Sequence, residues 1–414
     1  MQETVVNSVR KYFNFKQTEL ISSELKRVIH GQGTIFAFGN GGSEAFAQHL
    51  CMSLRDTLPN EQFKLFENPP IYYTAAISNR KDYDNALAEF LKRNYDKKSL
   101  VFLISASGNS KNIILAAKTA KRLGLKTVSF TGFSGGKLKA LTDYSINSEI
   151  DDQQPAEDNN QIILHLILLL TKLKLENKKS RFKSIMDKYL EDLSKNLKKI
   201  NPSFINTLSN KIVDDYIKNK KVFIYAPEGG SLSISADHIA HNLQWDAISK
   251  VYNPPDVQIN AALLSQQYTG IANDRKGYYV YGLQIRISAN EGNLLLIFAR
   301  NCSSKAVKYT ILDALEKKLE VFIITNRGQA FKFKKAQIME LDISNEMLFS
   351  DIIQIIGHII GRIVRAKLLI INKQLKGNPL AFLIEEDLAQ LRIKGDANTL
   401  LDRRYKRLEK KWKK

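Results

Sequence analysis

Four of the six histidines in this 414-residue chain, His49, His165, His238 and His358, lie in segments with helical patterning, and His165 and His358 sit in markedly apolar ones. An imidazole can take up or release a proton near neutral pH, or ligate a metal through either ring nitrogen. A single histidine on an apolar helix is also a common core residue, and local sequence leaves both readings open. The segment Ile104-Ser105-Ala106-Ser107-Gly108-Asn109-Ser110 joins a continuous apolar run to a helical pattern. Hydroxyls and free backbone N–H groups at a helix N-terminus bind anions, and a phosphate fits there. The same residue types also cap helices and turn chains, so the segment alone does not choose. A glycine turn, Gly39-Asn40-Gly41-Gly42-Ser43, would let a ligand approach the backbone closely.

Elements that position these groups recur along the chain. Thr34 to Ser43 reads as a short apolar strand, a glycine turn and a helix start, and Lys221 to Ser231 repeats it 188 residues later, from Ser43 to Ser231. Leu100–Ile104 followed by the serine turn and a helix is matched by Asn293–Ile297, Asn301–Ser304 and a helix to Lys318, and His165 and His358 lie 193 residues apart. Short continuous apolar strands alternating with helices predict parallel βαβ units with helices on both faces. The expected fold is therefore α/β, with two tandem three-layer domains arranged as a pseudo-dimer. The expected boundaries are residues 1–178, 179–372 and a basic extension, 373–414. Tyr72, Tyr73, Tyr278 and Tyr279 read as packing residues.

Composition bounds the partners. The 62 Lys and Arg against 42 Asp and Glu give a net charge of +20, which favours anionic partners without naming one. The N-terminal stretch lacks the apolar core of a signal peptide, and no apolar run approaches the roughly 20 residues that span a bilayer. Two cysteines, Cys51 and Cys302, make neither a disulfide framework nor a metal quartet. A cytoplasmic protein without membrane contact is expected.

Taken together, Gly39–Ser43 with Ala47-Gln48-His49, Ser105–Ser110, Thr131-Gly-Phe-Ser-Gly-Gly-Lys-Leu138 and His165 resemble the sugar isomerase (SIS) domain family and its phosphoheptose isomerase branch. The resemblance implies a flavodoxin-like sheet, phosphosugar binding and oligomers with sites between subunits. It places the ligand against Asn40, Gly41, Gly42, Ser43, Ser105, Ser107, Asn109 and Ser110, with Ala106 where the family has Thr. The second copy is similar more faintly, through Gly229–Ser231, Ala236-Asp-His238, Ile271–Asp274 and His358, and its serine loop has become Phe298–Ser304. The family pairs a Glu one turn after the first His with a second His in the closing helix. The corresponding positions here are Ser53 and Asn242, neither of which can act as a base, whereas Glu157 and Asp158 lie near the family's Gln and Glu. Some members bind zinc. His238 and His241 share a helix face, but no clear third and fourth ligand can be named, so no cofactor is expected.

Two functions compete. The missing Glu, a feature shared with the branch that resembles DnaA initiator-associating protein, slightly favours a non-catalytic sensor or interaction protein that binds a phosphorylated sugar. The alternative is an aldose–ketose isomerase of the sedoheptulose 7-phosphate type. In that case His165, His49 and Glu157 transfer protons, and Asp274, His238 and His358 contribute from the second copy. A nucleic-acid binder ranks third, because no helix-turn-helix, RRM or zinc-finger pattern is present. The expected partners are a sugar phosphate, a second copy of the chain, and an acidic protein or nucleic acid at the basic tail.

Overall fold

The computed structural model describes residues 2–248, 259–260, 265–328, 333 and 335–371, so the basic extension expected over 373–414 lies outside the described residues. The first half opens with helices α1 (Gln2–Tyr12) and α2 (Phe15–His30), then β1 (Thr34–Phe38), α3 (Gly42–Thr57) and β2 (Lys64–Phe66). It continues through α4 (Ile71–Arg80), α5 (Ala86–Asn94), β3 (Leu100–Ile104), α6 (Lys111–Arg122) and β4 (Lys126–Thr131). A short α7 (Gly136–Leu141), β5 (Tyr144–Asn147) and the long α8 (Gln153–Leu175) close it.

The second half begins with α9 (Phe182–Leu197), α10 (Pro202–Ile217), β6 (Val222–Tyr225) and α11 (Gly230–His241), which runs into a π-helical stretch, Asn242–Ile248. Then come β7 (Ile259–Asn260), α12 (Ser265–Arg275), α13 (Val280–Ser288), β8 (Leu294–Ala299) and α14 (Lys305–Glu316). Strands β9 (Glu320–Asn326) and β10 (Ala336–Leu341) precede α15 (Glu346–Ile371).

Both sheets are parallel and share one strand order. The first runs β2-β1-β3-β4-β5 and the second β7-β6-β8-β9-β10. Strands β1, β3 and β8 are buried along their whole length, which is why they read as unbroken apolar runs. In each sheet the chain reverses direction beside the second strand in the order, β1 or β6. The carboxyl ends of β1 and β3, and of β6 and β8, therefore flank a crevice of the kind where open α/β sheets bind ligands. The glycine turn leaves β1 and the serine loop leaves β3, so the topology brings those two motifs together.

One apolar core runs through both halves, drawing on α2, α3, α8, α9, α10, α11 and α15, while two smaller cores fill the outer faces of the sheets. Helix α15 is long and apolar enough to cross a membrane, yet 83% of its apolar window is buried. It is a core helix packed on α8, α10 and α11. Of the four tyrosines expected to pack, Tyr73 lies edge-on to Phe90 and Tyr279 stacks on Tyr309, but Tyr72 is 68% exposed. Tyr72 lies in the first turn of α4, whose one buried residue is Ile77.

At the crossing of α15 and α11 a glycine is required by space. A Cβ at Gly357 would fall 2.2 and 2.5 Å from side-chain atoms of Ile239. Gly357→Ala should therefore lower stability by about 1–3 kcal/mol, although alanine is the better helix former. Urea denaturation checks this, and a variant as stable as the parent would contradict the close approach.

Candidate functional site

Helices α8 and α15 carry buried polar residues that pair with each other across the junction. Asp158, Gln161 and His165 on α8 recur 193 residues later as Asp351, Gln354 and His358 on α15. His165 Nδ1 lies 2.9 Å from Asp351 Oδ1, and His358 Nδ1 lies 2.8 Å from Asp158 Oδ1. Gln161 Nε2 donates to Asp351 at 2.9 Å, and Gln354 Nε2 donates to Asp158 at 3.2 Å. Each carboxylate holds the proton of the facing ring on Nδ1, so each Nε2 points away, toward a second histidine. His165 Nε2 meets His49 Nε2 at 3.0 Å, and His358 Nε2 meets His238 Nε2 at 3.4 Å. Two histidine pairs result, both at the junction of the halves.

Their surroundings differ. Beside His238 and His358 lies Glu157, with Oε2 at 3.5 Å from His238 Nε2 and 3.7 Å from His358 Nε2. These separations exceed a hydrogen bond, and this buried oxygen has no hydrogen-bond partner. The other oxygen accepts from Gln153 at 2.9 Å. Burial alone would raise the Glu157 carboxyl; the facing imidazoles of His238 and His358 offset this and hold it below its ordinary value. Burial would lower His358, but the carboxylates of Asp158 and Glu157 raise it instead. Beside His49 and His165 the residue that corresponds to Glu157 is Ser350, and Ser53 Oγ is 3.4 Å from His165 Nε2. Tyr189 completes that pocket by donating to Asp351 at 2.5 Å.

Glu157, His238 and His358 are spaced to hold a metal ion. A tetrahedral zinc with ligands at about 2.0–2.2 Å places its donor atoms roughly 3.3–3.6 Å apart. The three separations here are 3.4, 3.5 and 3.7 Å. The orphaned Glu157 oxygen and the Asp158 carboxylate behind His358 are what such a site needs in its first and outer spheres. Sequence reasoning missed this trio because the carboxylate comes from the opposite half.

The first half's ligand loops reach the same place. A Cβ at Gly42 would lie 2.8 Å from Glu157 Oε1, and one at Gly41 would lie 3.3 Å from His241 Nε2. The glycine turn thus presses its backbone against residues of both halves. Asn40 exchanges two hydrogen bonds with Asn112 on α6, at 2.9 and 2.8 Å, and accepts from Tyr83 at 2.7 Å. This ties the turn to the serine loop. Within that loop Ser105 and Ser110 hydroxyls lie 3.0 Å apart, and Ser107 Oγ accepts from Asn109 N at 3.2 Å. Gly108, with φ of 63°, backs so closely on Gly135 that a Cβ would sit 1.9 Å from the Gly135 carbonyl oxygen. Ser110 occupies the N-cap of α6 without capping it, whereas Ser304 caps α14 by accepting from Val307 N at 3.3 Å. The capping alternative left open by the sequence thus describes the second half, not the first.

The sequence profile of the SIS domain matches residues 14–132. A phosphoheptose isomerase of Mycobacterium tuberculosis is 34% identical over 142 residues, 32% of this chain and 69% of that protein. One from Helicobacter pylori is 32% identical over 162 residues, 37% of this chain and 84% of that protein. The chain belongs to the SIS domain family. The C-terminal domain of a glucosamine-fructose-6-phosphate aminotransferase from Francisella tularensis has a similar fold, with a TM-score of 0.55 at 12% identity. That likeness covers 88% of this chain and 93% of the other, so the SIS-type α/β fold extends over both halves.

Within this SIS protein the predicted residues sort into separate groups. The glycine turn and Glu157 from the first half gather with His238 and His358 from the second, and Asn40–Asn112 links that turn to the helix that follows Ser105–Ser110. His49 and His165 pair with each other, and His238 of the Glu157 trio is close enough to bear on His49. Asp274 is exposed on α12, where it accepts from Asn273 at 3.1 Å. Asp351, Gln161 and Gln354 were missed, although the offset that matched the histidines applied to them equally, and Asp158 was noted only for its place near the family's Gln and Glu.

His49 is buried, and desolvation with the neighbouring His165 and His238 holds it well below its ordinary 6.5. The unfolded chain takes up this proton below about pH 6.5 and the folded chain does not, so stability falls on acidification by up to about 1.4 kcal/mol per pH unit. Between about pH 7.5 and 5.5 the parent should lose more stability than His49→Gln, measured by urea denaturation at each pH. Equal losses would contradict a neutral His49.

Proposed function

We propose that the chain is a phosphosugar aldose–ketose isomerase with one composite site, formed by the first half's loops and the second half's histidines. The observation that carries this reading is Glu157 lying between His238 and His358 with an unpartnered oxygen. In sequence the chain has lost its base twice, at Ser53 and Asn242. Across the junction Glu157 supplies a carboxylate beside the two imidazoles of His238 and His358.

The chemistry follows from these groups. Ser107, Ser110 and the uncapped amides of α6 hold the sugar phosphate against the positive end of the helix. Glu157, ionised, accepts the proton from the carbon next to the carbonyl. His358, whose Nδ1 faces Asp158, donates from Nε2 to the carbonyl oxygen, giving an enediol. Return of the proton from Glu157 to the neighbouring carbon, with loss of the hydroxyl proton back to His358, completes the exchange of aldose and ketose. The same three side chains would alternatively hold a zinc-sized divalent ion; Glu157 and His358 would then be ligands in place of proton-transfer groups, and the ion would supply the polarisation of the carbonyl.

Binding without turnover is the second reading, and Ser53 and Asn242 favour it. Both readings suit a cytoplasmic metabolite-binding protein, and both keep the pairing of two chains as an expectation. Calorimetric titration with a panel of sugar phosphates, sedoheptulose 7-phosphate included, followed by a product assay on any ligand that binds, separates them. Ser107→Ala with Ser110→Ala should abolish binding. Glu157→Gln should retain binding and lower turnover about 10²–10⁴-fold. Binding without product in the parent would leave a sensor, and no binding at all would overturn the phosphate site.

A further inference from the structure

The second half retains the backbone of a phosphate cradle, and that cradle is already filled. In the glycine turn after β6, Glu228 stands where the first half has Asn40. Asn40 is neutral and turned toward Asn112 and Tyr83. Glu228 reaches across to the loop after β8, where one carboxylate oxygen accepts from Arg300 N at 2.5 Å and lies 3.4 Å from Asn301 N. Counted back from the N-caps Ser304 and Ser110, those amides occupy the place of Ala106 and Ser107 in the first half's serine loop. A carboxylate seated on two backbone N–H groups is the interaction an incoming phosphate would make. The Arg300 guanidinium, the remaining positive group of that loop, is paired with Glu346. Around Glu228, Arg300 and Glu346 lie two adjoining clefts of about 560 and 310 Å³, lined also by Arg327 and Arg55, so the region has room for a ligand while the loop amides themselves are taken by Glu228.

We propose that Glu228 is a built-in anion that closes the second half's cradle to phosphate and limits the chain to one phosphosugar. Loss of the serines weakens that cradle, but the carboxylate is what excludes the ligand. The rule follows from charge. A phosphate would have to displace a hydrogen-bonded carboxylate and then sit beside it, whereas at Asn40 it meets a neutral amide. The inference goes beyond the proposed activity, because it concerns the other crevice.

The test uses inorganic phosphate as the probe and full-length chains. With Ser107→Ala and Ser110→Ala disabling the first loop, calorimetry should detect no phosphate binding. Adding Glu228→Ala to that background should restore a single site, with affinity raised about tenfold or more over the double variant. Glu228→Gln, which keeps the shape and removes the charge, serves if the alanine variant unfolds, as judged by circular dichroism. Failure of the folded Glu228 variant to gain phosphate would overturn the proposal, as would two phosphates bound per parent chain. Neither result depends on turnover or on which sugar the first half takes.

Discussion

The arrangement depends on one constraint: two buried aspartates on paired helices, each satisfied by the other half of the chain. Asp158 and Asp351 are both under a tenth exposed and face His358 and His165 respectively. A buried carboxylate without a partner is costly, and breaking such a pair typically removes about 3–5 kcal/mol. Asp158 finds its partners, Gln354 and His358, on the other half, while Asp351 accepts from Tyr189 of its own half as well as from Gln161 across the junction. The crossed pairs hold α8 and α15 in register and direct the outward nitrogen of each histidine toward the junction.

From that register the site follows. Because the pairs are crossed, residues of one half complete the crevice of the other, and His238 and His358 come to lie beside Glu157 and the first half's glycine turn. The two junction pockets have since diverged. One keeps a carboxylate, an open serine loop and a neutral Asn40; the other has Ser350 for the carboxylate, a capped helix and Glu228 on its loop amides. A chain with two chemically equivalent halves would present two sites, while this one concentrates its reactive groups in one.

Much of the fold was legible in the sequence because its signals are local. Continuous apolar runs such as Leu100–Ile104 mark strands buried on both faces, and the glycine and serine turns mark their carboxyl ends. The pairing of groups was not legible, because it is set by the packing of α3, α8, α11 and α15, which lie far apart in the chain. His49 and His165 were grouped with Glu157 by the family resemblance, and the structure puts Glu157 beside His238 and His358 of the other half. Helix α8 also hides its polar stretch. Glu157, Asp158, Asn159, Asn160 and Gln161 are consecutive and all buried, so no amphipathic period separates a working face from a solvated one.

The central claim is that the first half's phosphate loop works with the second half's histidine. It is tested most directly by solvent exchange, following loss of the sugar phosphate's C–H signal in D2O by proton NMR. The comparison is between His358→Asn and His165→Asn, at equal concentrations of folded protein. The account predicts that exchange collapses in His358→Asn and persists in His165→Asn. Exchange that persists in His358→Asn and collapses in His165→Asn would contradict it.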